Sequence, residues 1–166
     1  GVASCVWVRP ILIMPSNSAT FASSAAWAQF KVDVSGVGLT QVPIAIVSFK
    51  GEETAPQKTS AILLADLERS GQFRAVPNLG LSMDELSRPD HAMLRQKSAD
   101  ALVAGSSTRL ADGRYEVRAK LWDVVSGQER GDYRETVAAA DLRLSAHRLA
   151  DWVYETQAKQ TLEEEE

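Results

Sequence analysis

One cysteine and two histidines are all that 166 residues contain of the thiolate and imidazole ligands of zinc sites. Cys5 has no partner for an intramolecular disulfide, and with only His91 and His147 beside it no zinc-ligand spacing can be drawn. A basic cluster is also missing. The formal net charge is -4 and the pI is near 5.3, whereas affinity for nucleic acid comes from grouped lysine and arginine set against phosphates. Nucleic acid is therefore excluded as a partner. No stretch approaches the roughly 20 apolar residues of a membrane-spanning helix, and no period of roughly 20 to 50 residues repeats. Catalytic signatures are sparse too. Ser48 lacks a surrounding G-x-S-x-G, and Gly36-Val37-Gly38 lacks the third glycine and the helix of a dinucleotide fingerprint. No cofactor and no metal are predicted.

What is present is an ordinary globular composition, 45% hydrophobic and 24% charged, long enough for one domain with one real core. Residues 42–71 organise the rest. Ile44, Ala45, Ile46, Val47 and Phe49 form an apolar, branched run that predicts a strand buried on both faces. A turn through Gly51 leads to Thr54-Ala55-Pro56-Gln57, where Thr54 can cap a helix, Gln57 can reach back to it, and proline is tolerated in the first turn. Ser60, Leu63, Leu64 and Leu67 then share one helical face, and Gly71 ends the helix in the left-handed conformation glycine adopts at little cost.

Further along, residues 73–76 predict a second short strand, 79–88 a loop, and Pro89 the opening of a short helix through Met93, Leu94 and Lys97. Residues 101–105 predict another buried strand. Asp112-Gly113 is a strong hairpin signal; after it Tyr115, Val117, Ala119 and Leu121 alternate with Glu116, Arg118 and Lys120, a strand with one wet face. Ser126-Gly127 turns the chain into a weaker strand over 129–137. A last helix starts near Asp141, with Leu142, Ala146, Leu149 and Val153 along one face. The fold class expected is α/β: a single domain with a mixed five-stranded sheet packed by two main helices plus a short helix.

The ends differ from this middle. Residues 1–28 carry one charge, Arg9, then apolar Ile11 to Met14, then small residues ending Ala26-Trp27-Ala28, the pattern of an export signal cleaved before Gln29. An exported protein is the expectation. Residues 29–40 alternate Phe30, Val32 and Val34 with Lys31, Asp33 and Ser35 before Gly36 and Gly38 loosen the chain. Such a terminal strand either pairs within its own sheet or lends its edge to a partner. Residues 41–155 form the expected α/β domain, and 156–166, ending in four glutamates, are expected as an acidic disordered tail.

Two groups invite a chemical reading. His147 and Asp151 lie four apart on one helix and could form an acid-base pair, with Tyr154 nearby, yet no nucleophile accompanies them, so a surface or interface contact is the better account. Trp122 and Tyr133 sit on hairpin strands, where aromatic pairs normally pack against each other, with a ligand platform as the other reading.

The leader ending Ala-Trp-Ala, the strand from Phe30 to Gly36, the core strand Pro43-Ile44-Ala45-Ile46-Val47-Ser48-Phe49, and the helix ending Asp66-Leu67-Glu68-Arg69-Ser70-Gly71-Gln72-Phe73 come in one order with Ala99-Asp100-Ala101-Leu102-Val103-Ala104-Gly105, Asp112-Gly113-Arg114-Tyr115-Glu116-Val117, and Ala146-His147 with Asp151, Tyr154 and Glu155. Together these resemble the family of TolB N-terminal domains over roughly residues 29–155. Leu94 and Ser98 stand where that family usually carries tryptophan and glycine, and after Glu155 the family's linker into a β-propeller is replaced by Thr156 to Leu162 and glutamates.

The resemblance implies a non-catalytic periplasmic adaptor of the Tol-Pal system of Gram-negative envelopes, supporting outer-membrane integrity, cell division and protein import. It implies that Gln29, Phe30, Lys31, Val32, Asp33, Val34, Ser35, Gly36, Val37 and Gly38 dock on the C-terminal domain of TolA. Pal is implied as a partner only where a propeller follows. The alternatives are a stand-alone outer-membrane accessory domain, of the secretion-pore or flagellar-assembly type, and a small-ligand carrier or enzyme using His147, Asp151 and Tyr154.

Overall fold

The computed structural model describes residues 40–77 and 80–165. Its centre is a mixed five-stranded sheet of order β3-β1-β5-β6-β7, built from β1 (Val42–Ile46), β3 (Phe73–Ala75), β5 (Ala101–Arg109), β6 (Tyr115–Asp123) and β7 (Gln128–Val137). β1 runs parallel to both β3 and β5, while β5, β6 and β7 form an antiparallel meander. A second, two-stranded parallel sheet joins β2 (Ser48–Phe49) to β4 (Ser82–Met83).

The helices divide between the two faces of the main sheet. Leu63 and Leu67 of α1 (Thr59–Arg69) and Leu142, Leu149 and Val153 of α3 (Leu142–Glu164) bury one face together with Ile44, Phe49, Val103, Val117 and Leu121. On the other face Leu94 of α2 (His91–Gln96) packs with Ala45, Val47, Leu102, Ala104 and Val124. β5 lies between these layers, which is why its first seven residues are all buried. In β6 the pattern alternates strictly, because Glu116, Arg118 and Lys120 point away from α1 and α3, to the face that α2 covers only in part. Gly105 is required by packing rather than by its dihedral angles. A Cβ there would stand 2.3 Å from the Arg118 carbonyl oxygen and 2.8 Å from the Phe49 ring.

The fold class agrees with the sequence reading, and several local details differ. The apolar run 44–49 breaks at Val47 into β1 and β2, since Val47 and Ser48 turn to different partners: Val47 N–H bonds to the Val103 carbonyl and Ser48 N–H to that of Leu81. Leu81 leads into β4, a strand within the span expected to be loop. Helix α1 begins at Thr59, and neither Thr54 nor Gln57 caps it. Thr54 instead donates to the Gly51 carbonyl within a 3-10 turn over Glu52–Thr54. The cap comes from Glu52, buried at 4% exposure, whose carboxylate accepts the Ser60 amide at 2.9 Å and the Ser60 hydroxyl as well. A carboxylate at a helix N-terminus satisfies free amides and opposes the positive end of the dipole. Asp90, after Pro89, caps α2 by accepting the Met93 amide at 3.1 Å.

Helix α3 continues through the expected tail as far as Glu164. Gln160 supplies one reason: its amide reaches the Asp123 carboxylate at 3.3 Å and the Glu164 carboxylate at 3.0 Å. Thus the last turns of α3 are fastened to the β6–β7 turn by polar contacts, although their apolar stripe has ended.

Candidate functional site

The ten residues singled out for partner binding, Gln29 to Gly38, lie outside the described residues. What the structure describes is the place from which they emerge. Thr40 and Gln41 are exposed, and Val42 is held by its amide to the Gln72 carbonyl at 2.9 Å while the Gln41 side chain donates to the Gly71 carbonyl at 3.1 Å. Beside them a groove of about 460 Å³ opens between the start of β1 and the end of α3, lined by Val42, Gln72, Ala158 and Leu162 among others. Leu162 is 65% exposed. The described chain therefore begins next to the sheet margin formed by β3, at a strand paired on both sides.

The His147 and Asp151 pair is not what the helix makes. His147 Nδ1 pairs with Asp66 across the interface of α3 and α1, and Asp66 also accepts from Arg69 at 2.9 Å. Tyr154 accepts a hydrogen bond from the Gln72 side chain at 2.8 Å and meets the edge of Phe73 at 6.5 Å between ring centres. Asp66, Arg69, His147, Asp151 and Tyr154 line a shallow depression, and the His147 and Tyr154 contacts join α3 to α1 and to the start of β3. Their evident work is to fix one helix against its neighbours.

Trp122 and Tyr133 do not pack on each other either. Tyr133 lies against Trp152 of α3, 5.7 Å between ring centres, on the helical face; Trp122 lies against His91 of α2, also at 5.7 Å, on the opposite face. The register explains it: Ala119, not Trp122, stands opposite Tyr133, and a bulge between Leu121 and Trp122 shifts the pairing. Burial pushes the Tyr133 hydroxyl pKa far up, helped by its 2.7 Å bond to Glu135. Glu135 is drawn upward by its own burial but held below the usual carboxylate range by hydrogen bonds from Ser145, Tyr133 and Arg148. Among the described residues no three His, Cys, Asp or Glu side chains gather closely enough to hold a metal ion, and no described helix is long and apolar enough to cross a membrane.

These features define the class: an α/β domain in which a doubly wound parallel core is extended on one side by an antiparallel meander. The profile of the TolB amino-terminal domain matches residues 30–130, and the chain belongs to that family. It is 62% identical over 128 residues to the Tol-Pal system protein TolB of Albidiferax ferrireducens, covering 77% of this chain and 30% of that protein. Against the TolB of a Polaromonas species the identity is 63% over 132 residues, 80% of this chain and 31% of the relative. The chain thus spans about 30% of the length of these relatives. Among solved structures, TolB from Acinetobacter baumannii superposes with a TM-score of 0.60 at 26% identity, over 70% of this chain and 28% of that one.

Proposed function

We propose that this chain acts in the periplasm as the amino-terminal portion of a Tol-Pal system TolB, a non-catalytic adaptor that binds the C-terminal domain of TolA through Gln29 to Gly38. The observation that carries the reading is the family match across residues 30–130 together with identities above 60% to proteins named as Tol-Pal TolB. The mechanism is strand addition. Backbone groups of residues 30–34 supply affinity, while Phe30, Val32 and Val34 on one face and Lys31 and Asp33 on the other supply selectivity. A segment that orders on docking loses conformational entropy, so modest affinity and ready release follow. A link that cycles between inner and outer membrane, serving envelope integrity, division and import, needs that reversibility. Support from the fold is indirect: Val42 and Gln41 anchor the chain just beyond the segment, so force on it is delivered to β1 in the centre of the domain. Pal contacts would belong to a following propeller and are not assigned to these residues.

Calorimetric titration of residues 29–166, and of the same protein lacking 29–40, against the C-terminal domain of TolA from the same source tests the reading. Saturable heat from the longer protein alone is expected. Equal heat from both, or none from either, would overturn the assignment of the site.

A further inference from the structure

The main sheet ends in two edges, β3 and β7. An open row of N–H and C=O groups invites another strand, so native edge strands are blunted, most often by shortness, proline or lysine. β3 is three residues long. β7 is ten residues long and contains neither proline nor lysine. Its bulge lies at its start, and residues 131–137 pair regularly with β6. On its helical face the Glu135 carboxylate is already bound by Tyr133, Ser145 and Arg148, and α3 reaches β7 by one flank only, through Ser145, Arg148 and Trp152.

The phase of the ladder says which groups are open. The Leu110 amide bonds to the Arg114 carbonyl and the Val124 amide to the Asp100 carbonyl, both continuing the register of β5 with β6. Hydrogen-bonded and non-bonded positions alternate in an antiparallel pair, so the even-numbered residues of β6 turn their backbone to β5 and the odd-numbered ones to β7. Ala119 stands opposite Tyr133 and Val117 opposite Glu135. Tyr133 and Glu135 therefore bond to β6, and the N–H and C=O groups of Asp132, Arg134 and Thr136 face outward, where no strand pairs with them among the described residues. All three residues are exposed, on the face away from α1 and α3, since Asp132 stands opposite Lys120 and Arg134 opposite Arg118.

A second copy fits this row in one register. Pairing β7 with itself about a two-fold axis sets open groups against open groups whenever the axis passes through a residue. An axis at Asp132 makes two carboxylates meet, and one at Arg134 makes two guanidinium groups meet. An axis at Glu135 offers Arg134 only Thr136, and one at Gly131 offers Asp132 an Arg130 already turned to Asp123 beside the bulge. With the axis at Tyr133, Asp132 of each copy stands directly opposite Arg134 of the other. Both side chains have capacity to spare. Asp132 is 68% exposed with Lys120 no nearer than 3.6 Å, and Arg134, 66% exposed, holds Glu116 through Nε and Nη2, which leaves Nη1. We infer that two copies of this chain join β7 to β7, antiparallel about an axis at Tyr133, extending one sheet through both. Main-chain hydrogen bonds supply the affinity and the two Asp132–Arg134 pairs fix the register. The edge shares no residue with 29–38, so it stands or falls apart from the TolA reading.

Sedimentation equilibrium of the full 166-residue chain in dilute buffer, with amide exchange followed by nuclear magnetic resonance, tests this. The mass is expected to rise toward that of a dimer with concentration, and the amides of Asp132 and Arg134 to exchange more slowly as it does, while those of β3 do not change. Asp132→Arg and Arg134→Asp, each checked to keep the circular dichroism of the parent, are expected to weaken the dimer at least about tenfold, because each reversal sets like charges against each other at two symmetry-related positions. The double variant restores both pairs and is expected to recover most of that loss. A monomer at every concentration, protection at β3 instead of β7, a dimer indifferent to the single reversals, or a double variant no better than the singles would overturn the assignment.

Discussion

Ala104 and Lys120 are directly opposite each other on neighbouring strands and point to the same face of the sheet, yet one is sealed and the other is half open. Ala104 is fully buried beneath α2 and β4, whereas Lys120 holds its ammonium between Glu129 at 3.1 Å and Asp132 at 3.6 Å, and 5.6 Å from the centre of the Trp122 ring. The boundary between the parallel and the antiparallel half of the sheet runs between these two residues. On the parallel side helices cover both faces because crossovers must place them there; on the antiparallel side tight turns connect the strands and leave one face to charged pairs. Surface that is free to meet partners is therefore concentrated on the meander and at the ends of the parallel strands.

The largest effect expected from this contrast is at Ala104. Ala104→Lys puts an unpaired ammonium under α2, and the cost of a buried charge without a partner, about 4 kcal/mol or more, would consume much of a domain's stability. Urea unfolding followed by tryptophan fluorescence would record a midpoint collapse or no folded baseline. A variant as stable as the parent would mean that the second face is open to water and that the two halves do not differ as described.

Next in size is the cap of α1. Glu52→Ala removes both acceptors from Ser60 at the start of the helix, and loss of charged hydrogen bonds at a helix start is expected to cost about 1 to 3 kcal/mol. Thr54→Ala and Gln57→Ala, the residues that the local motif nominates, are expected to change stability by less than about 0.5 kcal/mol. The same urea series reads all three, and a larger loss at Thr54 than at Glu52 would restore the local cap.

That reversal shows where the sequence was legible. Strand positions and helix faces followed from periodicity: the β-branched run of β1, the alternation of β6 and the stripe of α3 each mark a face to be buried, whereas the strand order did not. Contacts that join distant residues were not. Nothing near Ser60 marks Glu52 as its cap, nothing near His147 points to Asp66, and Gln160 looks like tail until Asp123 lies beside it. β4 escaped notice because two residues paired to β2 carry no period. For function the position is similar. The groove beside Thr40 is assembled from the start of β1 and the end of α3, with no motif to mark it, while the proposed partner strand is a pattern visible in sequence alone.

A smaller effect separates the halves by pH. Glu135, on β7 and turned toward α3, is held below the ordinary carboxylate range in the folded state, burial opposing and the Ser145, Tyr133 and Arg148 hydrogen bonds prevailing. A depressed folded pKa gives stability that is fully present above the unfolded value of about 4.3 and is lost as pH falls through the folded one. Glu135→Gln is therefore expected to be less stable than the parent at pH 7, with the gap narrowing below about pH 4. Urea midpoints between pH 7 and pH 3 check this; parallel curves would show that the carboxylate does not couple to folding.

The smallest effect returns to Lys120. Lys120→Met keeps an apolar side chain of similar length and removes the ammonium from Trp122 and from both carboxylates, leaving Glu129 and Asp132 with side-chain exposures of 40% and 68% to be solvated by water. An ion pair with partners so open contributes less than about 1 kcal/mol and is screened by salt. The difference between parent and variant is thus expected to be small in dilute buffer and smaller still at about 1 M salt, where the Debye length is about 3 Å. A loss that approached that of Ala104→Lys, and that salt did not reduce, would place Lys120 inside the core, and the line between a sealed parallel half and an open meander would have to move one strand outward.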